Sequence, residues 1–335
     1  MRKIRFAFAG FRHAHIGDLW QRAQNHPEIE IVAACEEAPD DRLLDSLNIQ
    51  PTHHSLQNML DTVDFDVLAI GDSYSNRGAL AISALSRDKH VISDKPLCTT
   101  LDELTAIKTL SASKNLAIGL MLDAREHENL ITLRHVLISG EIGETATVSV
   151  TGQHPLLRTK RPAWYFEPGL HGGTLNDIAI HAMDFIPWMT GHSWNRIQTA
   201  RTWNGKATDR PYFQDCAQFM MVMDNGAGVL GDVSYLAPDE TGYAADEYWR
   251  VLVHGTCGKA ETSLNAPGVR VATDYDKHVR LLEPLPKSET GYLADFLSEL
   301  RGNPCVTGLN TSSNLTATSW ALHLELTAAQ HHQIT

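Results

Sequence analysis

Basic charge is scarce in this chain: 28 Lys and Arg stand against 40 Asp and Glu, a formal net charge of −12, with no long basic block. Phosphate binding needs a positive face, so neither a nucleic acid nor an anionic membrane is an expected partner. Long apolar runs are missing too; none reaches the roughly 18 residues that would suggest a spanning helix. The start, Met1 to Gly10, carries Arg2, Lys3 and Arg5, and Arg5 interrupts its short apolar part, so it reads as a first β-strand rather than a signal peptide. Cysteine is sparse. Cys35, Cys98, Cys216, Cys257 and Cys305 are odd in number, widely spread and show no C-x-x-C, which points to free thiols in a reducing cytoplasm. There are 17 histidines but no HExxH and no Cys/His ligand spacing, so no metal is expected, at Asp177 and His181 or elsewhere.

What is present suits two domains: 335 residues with a 43% hydrophobic fraction. Up to about residue 122, apolar runs alternate with helical patterns. The strands read as Lys3–Ala9, Ile29–Cys35, Asp66–Ile70, His90–Ser93 and Leu116–Leu120. The helices read as His15–Asn25, Pro39–Leu47, Asn76–Arg87 and Leu101–Lys114. That rhythm predicts a parallel sheet wrapped by helices, over residues 1–122. Beyond it comes a helix, Glu126–Ser139, ended by Gly140. Strands then follow in succession: Thr145–Gly152, Ile197–Trp203, Phe213–Met223, Gly228–Leu236 and Tyr248–His254, with a helix over Thr174–Thr190 after the first. Residues 123–335 are therefore expected to form an α+β domain on a largely antiparallel open sheet. Asp224-Asn225-Gly226 turns one hairpin, and a last helix, Ser312–His332, is able to pack back.

Between the first strand and first helix lies Gly10-Phe11-Arg12-His13-Ala14-His15-Ile16-Gly17. In a dinucleotide-binding (Rossmann) unit this turn is G-x-G-x-x-G and its backbone N–H groups meet a pyrophosphate. Only the first glycine is present. Arg12 occupies the second position, where its guanidinium can pair with phosphate instead, and His15 occupies the third. Glu36 ends the second strand, where an acid accepts from both ribose hydroxyls of NAD and repels a 2′-phosphate, so NAD is favoured over NADP. Gly10, Phe11, Arg12, His13, His15, Glu36, Asp72 and Lys95 are the candidate cofactor-binding residues.

The chemistry-bearing residues are Lys95, in Ser93-Asp94-Lys95-Pro96 at a strand end, and Asp177 with His181 some eighty residues later. Oxidising an alcohol removes a hydride and a proton, and the proton needs a base near working pH, a role open to His and to a desolvated Lys. Asp177 and His181, at i and i+4, share one face of the expected helix. Asp94-Lys95-Pro96 resembles the E-K-P motif of the Gfo/Idh/MocA oxidoreductases. Gly172-Gly173-Thr174-Leu175-Asn176-Asp177 with His181 and Asp184 resembles that family's G-G-G-x-L-x-D-x-x-x-H-x-x-D stretch. His90-Val91-Ile92-Ser93 and Gly140-Glu141-Ile142-Gly143 fit as well. Asp94 replaces the motif's Glu, Arg77 a usual His, and Thr174 the third Gly. The resemblance implies an N-terminal Rossmann domain, a C-terminal α/β domain whose open sheet often builds oligomers, and Lys95 beside nicotinamide and substrate.

These residues lead to an expected activity. The chain reads as an NAD-dependent dehydrogenase acting on a secondary alcohol or ketone of a sugar, polyol or sugar derivative. Lys95, Asp177 and His181 are its catalytic residues, and His181 is the general base. Arg125 and Trp164 line the substrate site, Trp164 because a ring face packs on sugar C–H groups. Two alternatives are an enzyme that retains NAD and uses it transiently, for glycoside cleavage or epimerisation, and a non-catalytic NAD- and sugar-sensing protein. A cytoplasmic homodimer or homotetramer is expected.

Overall fold

The computed structural model describes residues 2–37, 41–287 and 291–332. Two compact units share the chain. The first comprises Met1–Met121, Pro162–Gly172 and Tyr292–Ser319; the second comprises Leu122–Arg161, Gly173–Gly291 and Trp320–Thr335.

In the first unit, β1 (Ile4–Ala9), β2 (Ile29–Cys35), β3 (Val67–Ile70), β4 (His90–Ser93) and β5 (Ile118–Leu120) form one parallel sheet in the order β2-β1-β3-β4-β5. The central strands lie between layers of helices and are apolar along their length: Phe6, Phe8, Val67, Leu68, Val91 and Ile92 are wholly buried. Each such large side chain contributes about 1.5–3 kcal/mol on leaving water. The helices are α1 (Ile16–Asn25), α2 (Asp41–Leu47), α3 (Leu56–Thr62), α4 (Tyr74–Ser86) and α5 (Leu101–Lys114). Sequence signals fix the ends of α5: Thr100 and Glu103 form a reciprocal capping box, and Asn115 closes the helix in the left-handed region. The Pro39 start expected for α2 lies outside the described residues.

The second unit holds α6 (Glu128–Ile138), β6 (Thr145–Pro155), α7 (Ile180–Thr190), β7 (Trp194–Trp203), β8 (Cys216–Met223), β9 (Gly228–Ala237), β10 (Val251–Gly255), β11 (Gly258–Thr262), β12 (Val269–Thr273) and β13 (Arg280–Leu282). The eight strands run in the order β13-β12-β11-β10-β6-β9-β8-β7, and every pairing is antiparallel except β6 with β9. One face is buried. Along β8, Ala217, Phe219, Met221 and Met223 turn inward while Gln218 and Met220 are exposed. The β8–β9 hairpin turns through Asn225 and Gly226, the latter at φ +88°. The chain ends in α8 (Tyr292–Leu300), part of the first unit, and α9 (Thr311–His332), whose residues fall to the first unit up to Ser319 and to the second from Trp320.

The fold is thus the expected one: a parallel Rossmann-type sheet and a mostly antiparallel open sheet. Three strands (β11, β12, β13) and two helices (α3, α8) were not read from the sequence. The helix expected over Thr174–Thr190 is present over that span, but its first turn, Leu175–Ala179, is π-helical and leads into α7. Such wide turns within helices recur at functional sites.

Candidate active site

The turn after β1 is shaped by its neighbours. Gly10 sits at φ +77°, and a Cβ there would lie 2.7 Å from backbone atoms of Asp72, so only glycine fits. Its N–H donates to the Cys35 carbonyl (3.0 Å), and those of Arg12 and His13 donate to the Gly71 carbonyl (3.1 and 3.2 Å). The Phe11 N–H donates to the Glu36 carboxylate at 2.6 Å, which ties the turn to the buried acid ending β2. The N–H groups of Gly10, Phe11, Arg12 and His13 are therefore engaged inside the protein. The Arg12 side chain offers a donor instead. Its Nε is buried with no hydrogen-bond partner, and its Nη1 lies 3.8 Å from Asp72. An unmet guanidinium donor at the head of α1 suits a phosphate oxygen, and a carboxylate at the end of β2, with about four lone-pair sites, suits ribose hydroxyls. The residues fit a dinucleotide. Asp72 serves locally: its Oδ1 accepts from the Ser73 and Asn76 side chains (both 3.1 Å) at the head of α4.

At the end of β4, Asp94 and Lys95 are 0% and 2% exposed. Burial opposes a charge on Asp94, but Arg77, then His13 and His15, hold its carboxyl well below the usual range. Arg77 Nη2 donates to Asp94 Oδ2 at 2.8 Å, and His13 Nδ1 lies 2.5 Å from the same oxygen. Burial pushes the His13 imidazole down to about 3, outweighing the pull of Asp94. His13 is therefore neutral, and the charge partner of Asp94 is Arg77. On its other edge, His13 Nε2 is within 3.2 Å of the Tyr74 hydroxyl and 3.4 Å of the Tyr165 hydroxyl, and those hydroxyls bond each other. The Lys95–Pro96 peptide is cis.

Among the described residues, His13, His15 and Asp94 are the group whose donor atoms, all within 4.8 Å of one another, could hold a metal. The guanidinium of Arg77 on the same carboxylate weighs against a divalent ion there, because it already neutralises the charge that would attract one.

In the second unit, Asp177 and His181 are 2% and 9% exposed. The π-turn carries Asp177, whose Oδ2 accepts a hydrogen bond from the Tyr235 hydroxyl on β9. The His181 ring meets the Trp249 indole edge-on at 5.5 Å. His154, on β6, joins the two partners, its ring 6.3 Å from Tyr235 and 6.1 Å from Trp249. Asp177 and His181 thus share one aromatic wall. Trp249 is held at φ +52°, unusual for so bulky a residue. Its indole lies where a Cβ on Gly152 would come within 2.6 Å of it.

Two expected substrate residues have protein partners of their own. Arg125 makes a buried bidentate pair with Asp184, Nε at 3.1 Å and Nη2 at 2.6 Å. Trp164 belongs to the first unit, where its Nε1 donates to the Arg12 carbonyl (3.3 Å) and its ring packs on Tyr74 and Tyr165. Tyr235, Trp249 and His154 were not singled out in the sequence. Only Tyr235 left a signal, as a polar aromatic in the inward alternation Val229, Gly231, Val233, Tyr235.

Residues 4–121 match the model of the oxidoreductase family with an NAD-binding Rossmann fold, and residues 130–261 match the Gfo/Idh/MocA C-terminal domain. The chain belongs to the Gfo/Idh/MocA oxidoreductases. It is 24% identical to a levoglucosan dehydrogenase of Pseudarthrobacter phenanthrenivorans over 66% of this chain, and the match spans 55% of that relative. It is 24% identical to an inositol 2-dehydrogenase of Salmonella paratyphi B over 51% of this chain and 49% of the relative. The chain therefore spans about half the length of these curated relatives. An inositol dehydrogenase homologue of Azotobacter vinelandii, solved with NAD+, shares the fold: TM-score 0.77 at 17% identity, covering 98% of this chain and 96% of the other. No helix among the described residues is long and apolar enough to cross a membrane.

Proposed function

We propose that this family member is an NAD-dependent dehydrogenase acting on a secondary alcohol, or the matching ketone, of a sugar, polyol or sugar derivative. The observation that carries the reading is burial: Lys95, Asp177 and His181, at the motif positions, are all under 10% exposed. Ionisable groups are costly to bury, and groups kept so are concentrated where chemistry is done. Ring alcohols as substrates are supported by the names of the two relatives, a levoglucosan and an inositol dehydrogenase.

Arg12 and Glu36 would hold the dinucleotide, Arg12 at phosphate and Glu36 at the adenosine ribose. NAD supplies the hydride acceptor when bound. Lys95 donates a hydrogen bond to the reacting oxygen, and His181 takes the hydroxyl proton. Asp177, its own carboxylate oriented by Tyr235, accepts from a substrate hydroxyl. Trp249 and Tyr235 offer flat faces and keep water from the imidazole. The five cysteines are all free, which supports a reducing, cytoplasmic setting. A second copy would cover the outward sheet face, where exposed Met220 and Leu230 pair across β8 and β9, to give a homodimer or homotetramer. Leu230→Arg is expected to shift the sedimentation coefficient toward the monomer; an unchanged coefficient removes that face from the interface.

The test of activity is NADH formation across a panel of polyols, aldoses and sugar acids. Lys95→Ala and His181→Ala are each expected to lower turnover by roughly 10²–10⁴ with NAD affinity nearly intact. Near-normal turnover in both variants rejects the assignment.

A further inference from the structure

Among the described residues, Arg77 is the largest fully buried side chain. From the first turn of α4 its guanidinium reaches the ends of two strands. Nε donates to the Asp72 carbonyl beyond β3 (2.8 Å). Nη1 donates to the carbonyls of Lys95 (2.5 Å) and Pro96 (3.3 Å), and Nη2 to Asp94 Oδ2 (2.8 Å). The Tyr74 ring lies against it, 4.5 Å from its central carbon. Two departures from the family pattern, Arg77 for a usual His and Asp94 for Glu, are therefore in contact.

A buried ion pair is a poor source of stability, because desolvating both charges cancels most of their attraction. Geometry is the better account. A planar fork with five donors satisfies four acceptors around Lys95 in one arrangement, which neither Lys nor His can do. We propose that Arg77 is a positioning residue for Lys95: it clamps the carbonyl on each side of the Lys95–Pro96 bond and, by neutralising Asp94, fixes the charge beside the Lys95 backbone. The inference rests on the reading of Lys95 as the residue that meets the reacting oxygen.

The charge has a direct reporter. Besides Asp94 and Arg77, His13 faces His15 on its own turn, Tyr74 of α4 and Tyr165. Burial is the main reason His13 carries no proton charge, and the Arg77 guanidinium lowers it further while it compensates Asp94. Without Arg77 the uncompensated carboxylate pulls on the imidazole more strongly, and its titration moves upward.

The experiment follows the His13 ring signals by NMR in the full-length chain from roughly pH 5 to 8, the ordinary titration range of histidine. It compares wild type, Arg77→Met, Arg77→Lys and the doubly neutral Arg77→Met/Asp94→Asn, with turnover measured in parallel. The wild-type ring is expected to stay silent. In Arg77→Met it titrates inside the window, and in the double variant it falls silent again. Arg77→Met is expected to lose about 10–100-fold in kcat with the Kd for NAD changed less than about threefold, and Arg77→Lys to recover part of the loss. A silent His13 in folded Arg77→Met overturns the charge-fixing role, and an unchanged kcat overturns the positioning role. If Arg77→Met does not fold, the double variant decides: it keeps the loss of kcat if the clamp matters and regains wild-type kcat if only the charge did, which also overturns the proposal. The NMR arm needs no substrate, so it stands even if no alcohol in the panel is oxidised and the dehydrogenase reading fails.

Discussion

Glu36 sets the shape of a turn, and under the proposed function it also sets a preference among cofactors. Its carboxylate receives the Phe11 N–H, and the proposal has its charge repel a 2′-phosphate. Glu36→Gln keeps an acceptor for Phe11 and removes the charge. We expect the ratio of kcat/KM for NAD over NADP to fall by about tenfold or more, the scale of one charge-assisted hydrogen bond; an unchanged ratio would sink the charge argument. Single residues could be named as candidates where chemistry restricts the choice. Lys95, Asp177, His181 and Glu36 were picked because few residue types manage protons or bind a ribose, and all four are buried in the structure. Arg125 could not be placed, since its bond to Asp184 joins residues 59 apart and nothing local in the sequence announces it. Arg77 was noticed only as a departure, because its four acceptors come from loops that meet only once the sheet has formed.

Helix ends show the same divide between local and distant causes. The bounds of α5, Leu101–Lys114, were read correctly from the sequence, and the capping box that starts it is written in neighbouring residues, Thr100 and Glu103. The head of the Asp177 helix depends instead on Glu325, about 150 residues away, whose carboxylate accepts from the N–H groups of Leu175 (2.6 Å) and Asn176 (3.1 Å). Gly173 is glycine for the same reason, since a Cβ there would strike that carboxylate. Burial raises Glu325 from 4.5 to about 7, against the lowering effect of those two N–H groups. Between these two values the folded chain keeps a proton that the unfolded chain has released. Stability therefore falls as pH rises from about 4.5 to about 7, then levels off, with a total of at most about 3 kcal/mol before solvent screening of this half-buried group is counted. Glu325→Gln keeps an acceptor and cannot titrate. Its Tm should lose less than that of wild type between pH 5 and 7; parallel curves would show that the carboxyl stays ionised throughout. The missed strands β11 to β13 have a similar explanation. They are three to five residues long, carry charged side chains and are made strands by their neighbours more than by their own pattern.

At the scale of the whole molecule, the net charge of −12 opposes the approach of any anionic ligand, and a dinucleotide must bind against that field. The first four N–H groups of the turn after β1, from Gly10 to His13, are engaged inside the protein, and the proposed phosphate contact is the Arg12 side chain. Binding to the folded chain alone stabilises it by about 2.7 kcal/mol at a ligand concentration one hundred times Kd. Wild type should accordingly show a rise in Tm with NAD that grows with concentration, and a smaller rise with NADP, whose extra phosphate the proposed function sets against the Glu36 charge. In Arg12→Ala both rises should shrink together, because the lost guanidinium is read here as a phosphate contact common to both cofactors. A rise that survives intact in Arg12→Ala would mean that backbone amides of the turn are released from Gly71 and Glu36 on binding and hold the pyrophosphate after all. A rise of equal size for the two cofactors in wild type would mean that Glu36 keeps to Phe11 and never meets the ribose.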